Sequence, residues 1–280
     1  MSTSGGASTA IDRALSIDCN AMQIFVKNNM QWFAPAMSEK EAGGFCNHPR
    51  RAEVKSVFGH SGYMINLAAS NPQFHAKSVR ALREELVRAD QLQLPFLVLH
   101  PGAHTGAGEE PGLQKVVSSL DEVFAALPKI KTRVALETTA GQGSCLGDTF
   151  EHLAFILANA REPERLCVCI DTAHLFAAGY DLTSAAATRK TLAQFNKIVG
   201  LRWLAAIHLN DSKTARGSHV DRHEHIGKGQ IGLEAFRYIM NEPALAKIPK
   251  VLETPKEKAM LEDVENLRTL RGLIISANHQ

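Results

Sequence analysis

Short apolar runs that stop on an acidic or imidazole side chain alternate along the chain with longer segments of helical periodicity. Six such runs are legible: Val57-Phe58-Gly59-His60, Phe96-Leu97-Val98-Leu99-His100, Val134-Ala135-Leu136-Glu137, Cys167-Val168-Cys169-Ile170-Asp171, Ala205-Ala206-Ile207-His208 and Lys250-Val251-Leu252-Glu253. Near-continuous apolar runs predict strands buried on both faces, as in a parallel sheet. The segments from Ser78 to Leu92 and from Gly112 to Leu127 predict helices between them. Strand and helix alternating, with each strand ending on a polar group, predict an α/β barrel of the TIM type whose strand ends open onto one face. An open doubly wound sheet is the alternative, but it gathers only a few strand ends at its switch point, so six chemically matched ends favour closure. Met22-Gln23-Ile24-Phe25-Val26 supplies a seventh strand. Before Ile11 nothing reads as a strand, because Ser2 to Ala7 is a Ser/Gly-rich loop leading into a helix around Thr9 to Leu15. The expectation is a TIM-type (β/α)8 barrel lacking its first strand, as one domain over residues 1–280 with no linker or repeat array.

Composition narrows the classes without choosing a function. A net charge of +2 and a pI near 8.3 permit a DNA partner but fall short of a strongly basic non-specific binder. No apolar run reaches the roughly eighteen residues of a membrane span, and the N-terminus has neither a basic nor an apolar leader region. The expected location is therefore the cytoplasm, with no membrane partner and a monomeric state. Cys19, Cys46, Cys145, Cys167 and Cys169 are scattered and odd in number, which suits reduced thiols. Cys167 and Cys169 share the strand parity of Asp171, so small core side chains facing the barrel interior are expected there.

The candidate chemistry lies at the strand ends. His60, His100, Glu137, Asp171, His208 and Glu253 end the six runs, and His174, Asp221 and His223 follow in nearby loops. Nine imidazoles and carboxylates exceed the needs of one metal. Their mixture suits zinc, with manganese, iron or cobalt as alternatives, while the lack of a thiolate set disfavours a structural zinc site. The two-residue step from Asp221 to His223 places both side chains on one side of an extended segment. A single strand-end histidine is ordinarily just a hydrogen-bonded residue; six in succession are not explained that way. The loops Gly141-Gln142-Gly143 and Gly227-Lys228-Gly229 allow close backbone approach but match no phosphate-cradling motif.

These residues resemble the endonuclease IV family of apurinic/apyrimidinic endonucleases over nearly the whole chain. The resemblance rests on His60 with Tyr63-Met64-Ile65-Asn66-Leu67, His100-Pro101-Gly102, Leu136-Glu137-Thr138-Thr139-Ala140-Gly141-Gln142-Gly143 and Cys169-Ile170-Asp171-Thr172-Ala173-His174. It extends through His208-Leu209-Asn210-Asp211, Asp221-Arg222-His223 and Leu252-Glu253-Thr254. It implies three zinc ions, with Mn2+ possible in their place. One would take His60, His100 and Glu137, a second Glu137, Asp171, His208 and Glu253, and a third His174, Asp221 and His223. The implied substrate is damaged double-stranded DNA, cut 5′ to an abasic site by a metal-activated hydroxide. Glu253 is the candidate for positioning the water and Glu137 for bridging two metals; a purely ligating role for Glu253 is the alternative.

Two departures from the family pattern carry expectations of their own. Family members open with a strand before the Gly-Gly loop, and Met1 stands where that strand should end. A misassigned start or a truncation is expected, leaving two unpaired strand edges prone to aggregation. In Lys27-Asn28-Asn29-Met30-Gln31-Trp32 the family commonly places an arginine at the position of Met30. Met30 is then expected to wedge into the DNA with Tyr63 as its companion and Gln31 and Arg222 as further contacts. The competing readings are a metal-dependent sugar isomerase or epimerase on the same barrel, and a catalytically impaired lesion-binding protein.

Overall fold

A computed structural model of the chain describes residues 1–257 and 259–275. Seven parallel strands, β1 (Ala21–Phe25), β2 (Ser56–His60), β3 (Phe96–Leu99), β4 (Arg133–Glu137), β5 (Leu166–Asp171), β6 (Leu204–His208) and β7 (Lys250–Val251), neighbour one another in chain order. The helices are α1 (Thr9–Ser16), α2 (Glu39–Cys46), α3 (Pro72–Gln91), α4 (Glu109–Ala126), α5 (Phe150–Asn159), α6 (Thr172–Ala178), α7 (Ala185–Ile198), α8 (Leu233–Asn241) and α9 (Leu261–Gly272). No described helix is long and apolar enough to cross a membrane.

Alternation along each strand builds two cores. On β5, Cys167 and Cys169 turn inward with Phe58, Phe96, Val98, Ala135, Ala206 and Val251 to fill the barrel. Val168 and Ile170 turn outward against the helices, in a layer that includes Val134, Leu136, Leu82, Leu86, Leu120 and Phe124. The expected interior placement of the two cysteines is what the structure shows. Burial pushes their thiols up to about 12 and about 11, so they stay protonated core residues rather than thiolate ligands.

The helices begin where short polar side chains can take a free amide. Asn71 caps α3 by accepting from the Phe74 N–H at 3.0 Å, with Pro72 in the first turn. Thr149 does the same for α5 through His152 N–H.

The barrel does not close. Among the described residues no backbone hydrogen bond joins β1 to β7, and the sheet order ends on those two strands. The seam opens onto a groove of about 1200 Å³ whose lining includes Ala21 to Phe25, Lys250, Val251 and the Met1 to Ser4 segment, and which runs on past Arg13, Tyr63 and Asp263. The amino group of Met1 donates to the Gln23 carbonyl on the exposed edge of β1. This unsealed seam occupies the place of the missing strand, as the pattern of the chain leads one to expect. The last strand is shorter than its apolar run, ending at Val251 instead of Glu253, because it pairs only with β6, at Lys250↔Ile207 and Val251↔His208.

Candidate metal centre

The C-terminal ends of the parallel strands meet at one mouth, and the strand-end residues converge there. His60 Nε2 and His100 Nε2 approach the same oxygen of Glu137, Oε2, at 3.1 and 3.0 Å. The other oxygen of Glu137 faces His208 Nδ1 at 2.9 Å, and Glu253 Oε2 lies 3.1 Å from that nitrogen. Asp171 Oδ2 stands 3.8 Å from His208 Nδ1 and 3.8 Å from His223 Nε2. Three sets of potential ligand atoms lie within 4.8 Å of one another: His60, His100 and Glu137; Glu137, Asp171, His208 and Glu253; Asp171, His174 and His223. The first two match the groups that the family resemblance implies. In the third the structure adds Asp171, while Asp221, more exposed, bridges its outer side at 3.2 Å from His174 Nε2 and 3.3 Å from His223 Nε2. Glu137 and Asp171 thus each join two groups.

Local structure explains this placement. Asp171 ends β5 and caps α6, accepting the His174 N–H on Oδ1 at 2.9 Å, which leaves Oδ2 turned to the mouth. That cap sets His174 in the first turn of α6. The expected single-sided pairing of Asp221 and His223 is seen, since both reach His174.

Hydrogen bonds to backbone carbonyls aim the imidazoles. A carbonyl only accepts, so the ring nitrogen facing it carries the proton and the other presents a lone pair. His60 Nδ1 donates to Ser61 O at 2.7 Å, His174 Nδ1 to Thr138 O at 2.8 Å, and His223 Nδ1 to Glu253 O at 3.2 Å. Each therefore points an Nε2 lone pair at acceptors, and the Nε2 atoms of His174 and His223 face one another at 3.4 Å. Acceptor against acceptor at such distances requires a proton or a cation between them. The residues present fit metal ions.

The electrostatics carry the same message. Burial alone raises Glu137, yet His208 and His100 hold its carboxyl well below the usual range. Burial alone lowers His208, but the carboxylates of Glu253 and Glu137 raise it well above an ordinary imidazole. His174 is likewise raised against burial by Asp171, Asp221 and Glu137. Without a metal, protons hold the cluster together.

Several residues at the centre carry no strand-end signal. Asn210 Nδ2 donates to Asp171 Oδ2 at 2.5 Å while its Oδ1 accepts from Glu253 N–H at 2.8 Å. Thr138 Oγ1 accepts from the Asp171 N–H at 2.9 Å. Gln23 touches both His208 and Glu253. Its sequence signal is weak: one amide at an inward position of an otherwise apolar strand.

The expected DNA contacts are brought near the mouth but not into it. Met30 and Tyr63 are exposed, at 69% and 59%, and the Tyr63 ring packs edge-on against Phe25 with centroids 5.4 Å apart. Gln31 and Arg222 are exposed as well. Arg222 borders a 310 Å³ cavity that also includes His100, His174, Gln142 and Asp221. Beneath the Met30 and Tyr63 loops, Lys27 and Glu85 form a buried ion pair at 2.9 Å. Lys27 also donates to the Gln31 carbonyl, and Glu85 accepts the Gly62 N–H at 2.9 Å, so one pair ties both loops to α3. The two glycine loops prove to be packing devices. A Cβ on Gly141 would lie 2.6 Å from Asp148 Oδ2 and from His219 Nδ1, and one on Gly229 would collide with the Ser212 carbonyl.

The family described as xylose isomerase-like TIM barrel matches residues 11–270. A protein named probable endonuclease 4 from Chloroflexus aurantiacus is 46% identical over 277 residues, 99% of this chain and 97% of its own. Endonuclease IV from Thermus thermophilus superposes with a TM-score of 0.86 at 31% identity, covering 98% of this chain and 96% of that one. A D-tagatose 3-epimerase-like protein shares the fold, with a TM-score of 0.72 at 18% identity over 98% and 97% of the two chains.

Proposed function

This chain belongs to the endonuclease IV family, and from that premise we propose that it hydrolyses the phosphodiester 5′ to abasic sites in duplex DNA at a centre of three zinc ions. The observation that carries the reading is the set of three ligand groups joined through Glu137 and Asp171, each with lone pairs aimed at one another. Imidazole and carboxylate donors without thiolate suit zinc, with manganese as the substitute. Bound metals would lower the pKa of a coordinated water towards neutrality and polarise the scissile phosphate.

The residues divide the remaining work. His60, His100 and Glu137 would hold one ion, Glu137, Asp171, His208 and Glu253 a second, and His174, His223, Asp221 and Asp171 a third. Glu253, less enclosed than Glu137, would orient an incoming water. Met30 and Tyr63 provide an apolar wedge and a stacking surface, with Gln31 and Arg222 toward the phosphates. None of these steps needs a nucleophile from the protein.

Metal analysis of the purified protein paired with incision of an abasic oligonucleotide tests the reading. About three equivalents with cleavage is the expected result. One or two equivalents with turnover of a ketose would support a sugar epimerase instead, and lesion binding without cleavage a non-catalytic protein.

A further inference from the structure

Three of the histidines at the mouth are oriented by backbone carbonyls, but His208 is not. Its Nδ1 faces Glu137, Glu253 and Asp171, and its Nε2 lies 2.8 Å from Gln23 Oε1. The amide nitrogen of Gln23 donates to Glu253 Oε1 at 2.6 Å. These two contacts fix the amide orientation and the hydrogen on His208 Nε2. Glu253 as a carboxylate only accepts, so the Gln23 NH2 must face it and the amide oxygen must face His208. That oxygen only accepts, so His208 Nε2 must carry the hydrogen. Nδ1 is then the nitrogen left to face the converging carboxylates, so it is the atom that gives up its proton and offers its lone pair when an ion binds.

Gln23 also sits where the barrel is weakest. It lies on β1, while Glu253 follows β7, so its donation to Glu253 crosses the seam that no backbone hydrogen bond closes among the described residues. We infer that Gln23 is a positioning residue for the ion held by Glu137, Asp171, His208 and Glu253: it selects the binding tautomer of His208 and ties Glu253 across the open seam. The inference rests on the proposed metal centre and extends it to a residue outside the ligand set. Neighbours that orient a ligand typically contribute about 10–100-fold to metal affinity.

The test is a zinc titration of the full chain against a competing chelator, with Gln23→Met, which keeps size and removes both hydrogen bonds. One equivalent should weaken about 10–100-fold while the others hold, kcat on an abasic oligonucleotide should fall with KM for the DNA unchanged, and the His208 nitrogen resonances of the zinc-loaded variant should lose the pattern of an Nδ1-bound ring with a hydrogen-bonded Nε2–H. Gln23→Asn retains polarity but is one methylene short, so a weaker effect in the same direction is expected, and it carries the test if Gln23→Met does not fold. Variants that bind every equivalent as tightly as the unaltered chain would overturn the role of Gln23. An unaltered chain that binds no zinc would instead overturn the metal centre itself.

Discussion

The closed arc of the barrel and its open seam solve the same problem by different means. From β2 to β6 each strand has hydrogen-bonded neighbours on both sides, and the ends of that ladder hold Glu137, Asp171 and His208 with almost no exposure. Here the backbone sets the positions. At the seam, β1 and β7 each lack a second hydrogen-bonded neighbour among the described residues, β7 is only two residues long, and Glu253 keeps its place through the side chains of Gln23 and His208 and the Asn210 amide. A barrel can thus lose one ladder and keep its mouth, provided side-chain hydrogen bonds replace the missing backbone register. The part of the site built on the arc should be robust and the part built on the seam conditional.

The sharpest contrast comes from the arc. Glu137→Ala removes the carboxylate shared by His60, His100 and His208, so incision of abasic DNA should fall about a thousand-fold or more, with more than one tightly held metal lost. Loss of a single equivalent would show that the groups are not joined through Glu137. Next in size, Lys27→Met leaves the buried carboxylate of Glu85 without its cation just beyond β1. Urea unfolding should register about 3–5 kcal/mol of destabilisation, partly recovered in Lys27→Met/Glu85→Leu. An unchanged midpoint would mean that the seam side carries little of the fold's stability.

Tyr63→Ala probes the exposed rim. Its affinity for abasic duplex DNA should weaken by about 1–3 kcal/mol with metal content unaltered, whereas equal affinity would remove Tyr63 from the DNA-contacting set. Hydrogen exchange compares the two regions directly. Amides of β4 and β5 should exchange only through global unfolding, and those of β1 and β7 through smaller local openings; uniform protection would erase the distinction.

The smallest effect is a pH window in the metal-free protein. The raised His208 and His174 contribute stability that is complete below their ordinary value of 6.5 and lost as pH rises through their folded values. The lowered Glu137 contributes above its ordinary 4.5 and loses that contribution as pH falls through its folded value. Thermal midpoints of the chelated protein should therefore peak between pH 4.5 and 6.5. Metal binding, which competes with protons for the same atoms, should instead strengthen as pH rises. A flat profile would detach those residues from any common cluster.

What the chain determines locally could be read from it directly. An apolar run ending on His60, Glu137 or His208 declares a buried strand and its polar terminus, because strand burial depends on the run itself and a parallel barrel brings all such termini to one end. Nothing in the sequence marks Lys27 and Glu85 as partners, or Gln23 as more than one polar break in a strand, because a run of residues does not say which distant side chain will face it. Closing the sheet brought Gln23 to Glu253, residues 230 positions apart, and turned Asp171 toward His223 as well as His208. Those pairings follow from the distances that packing leaves between strand ends, so tertiary structure alone decided them.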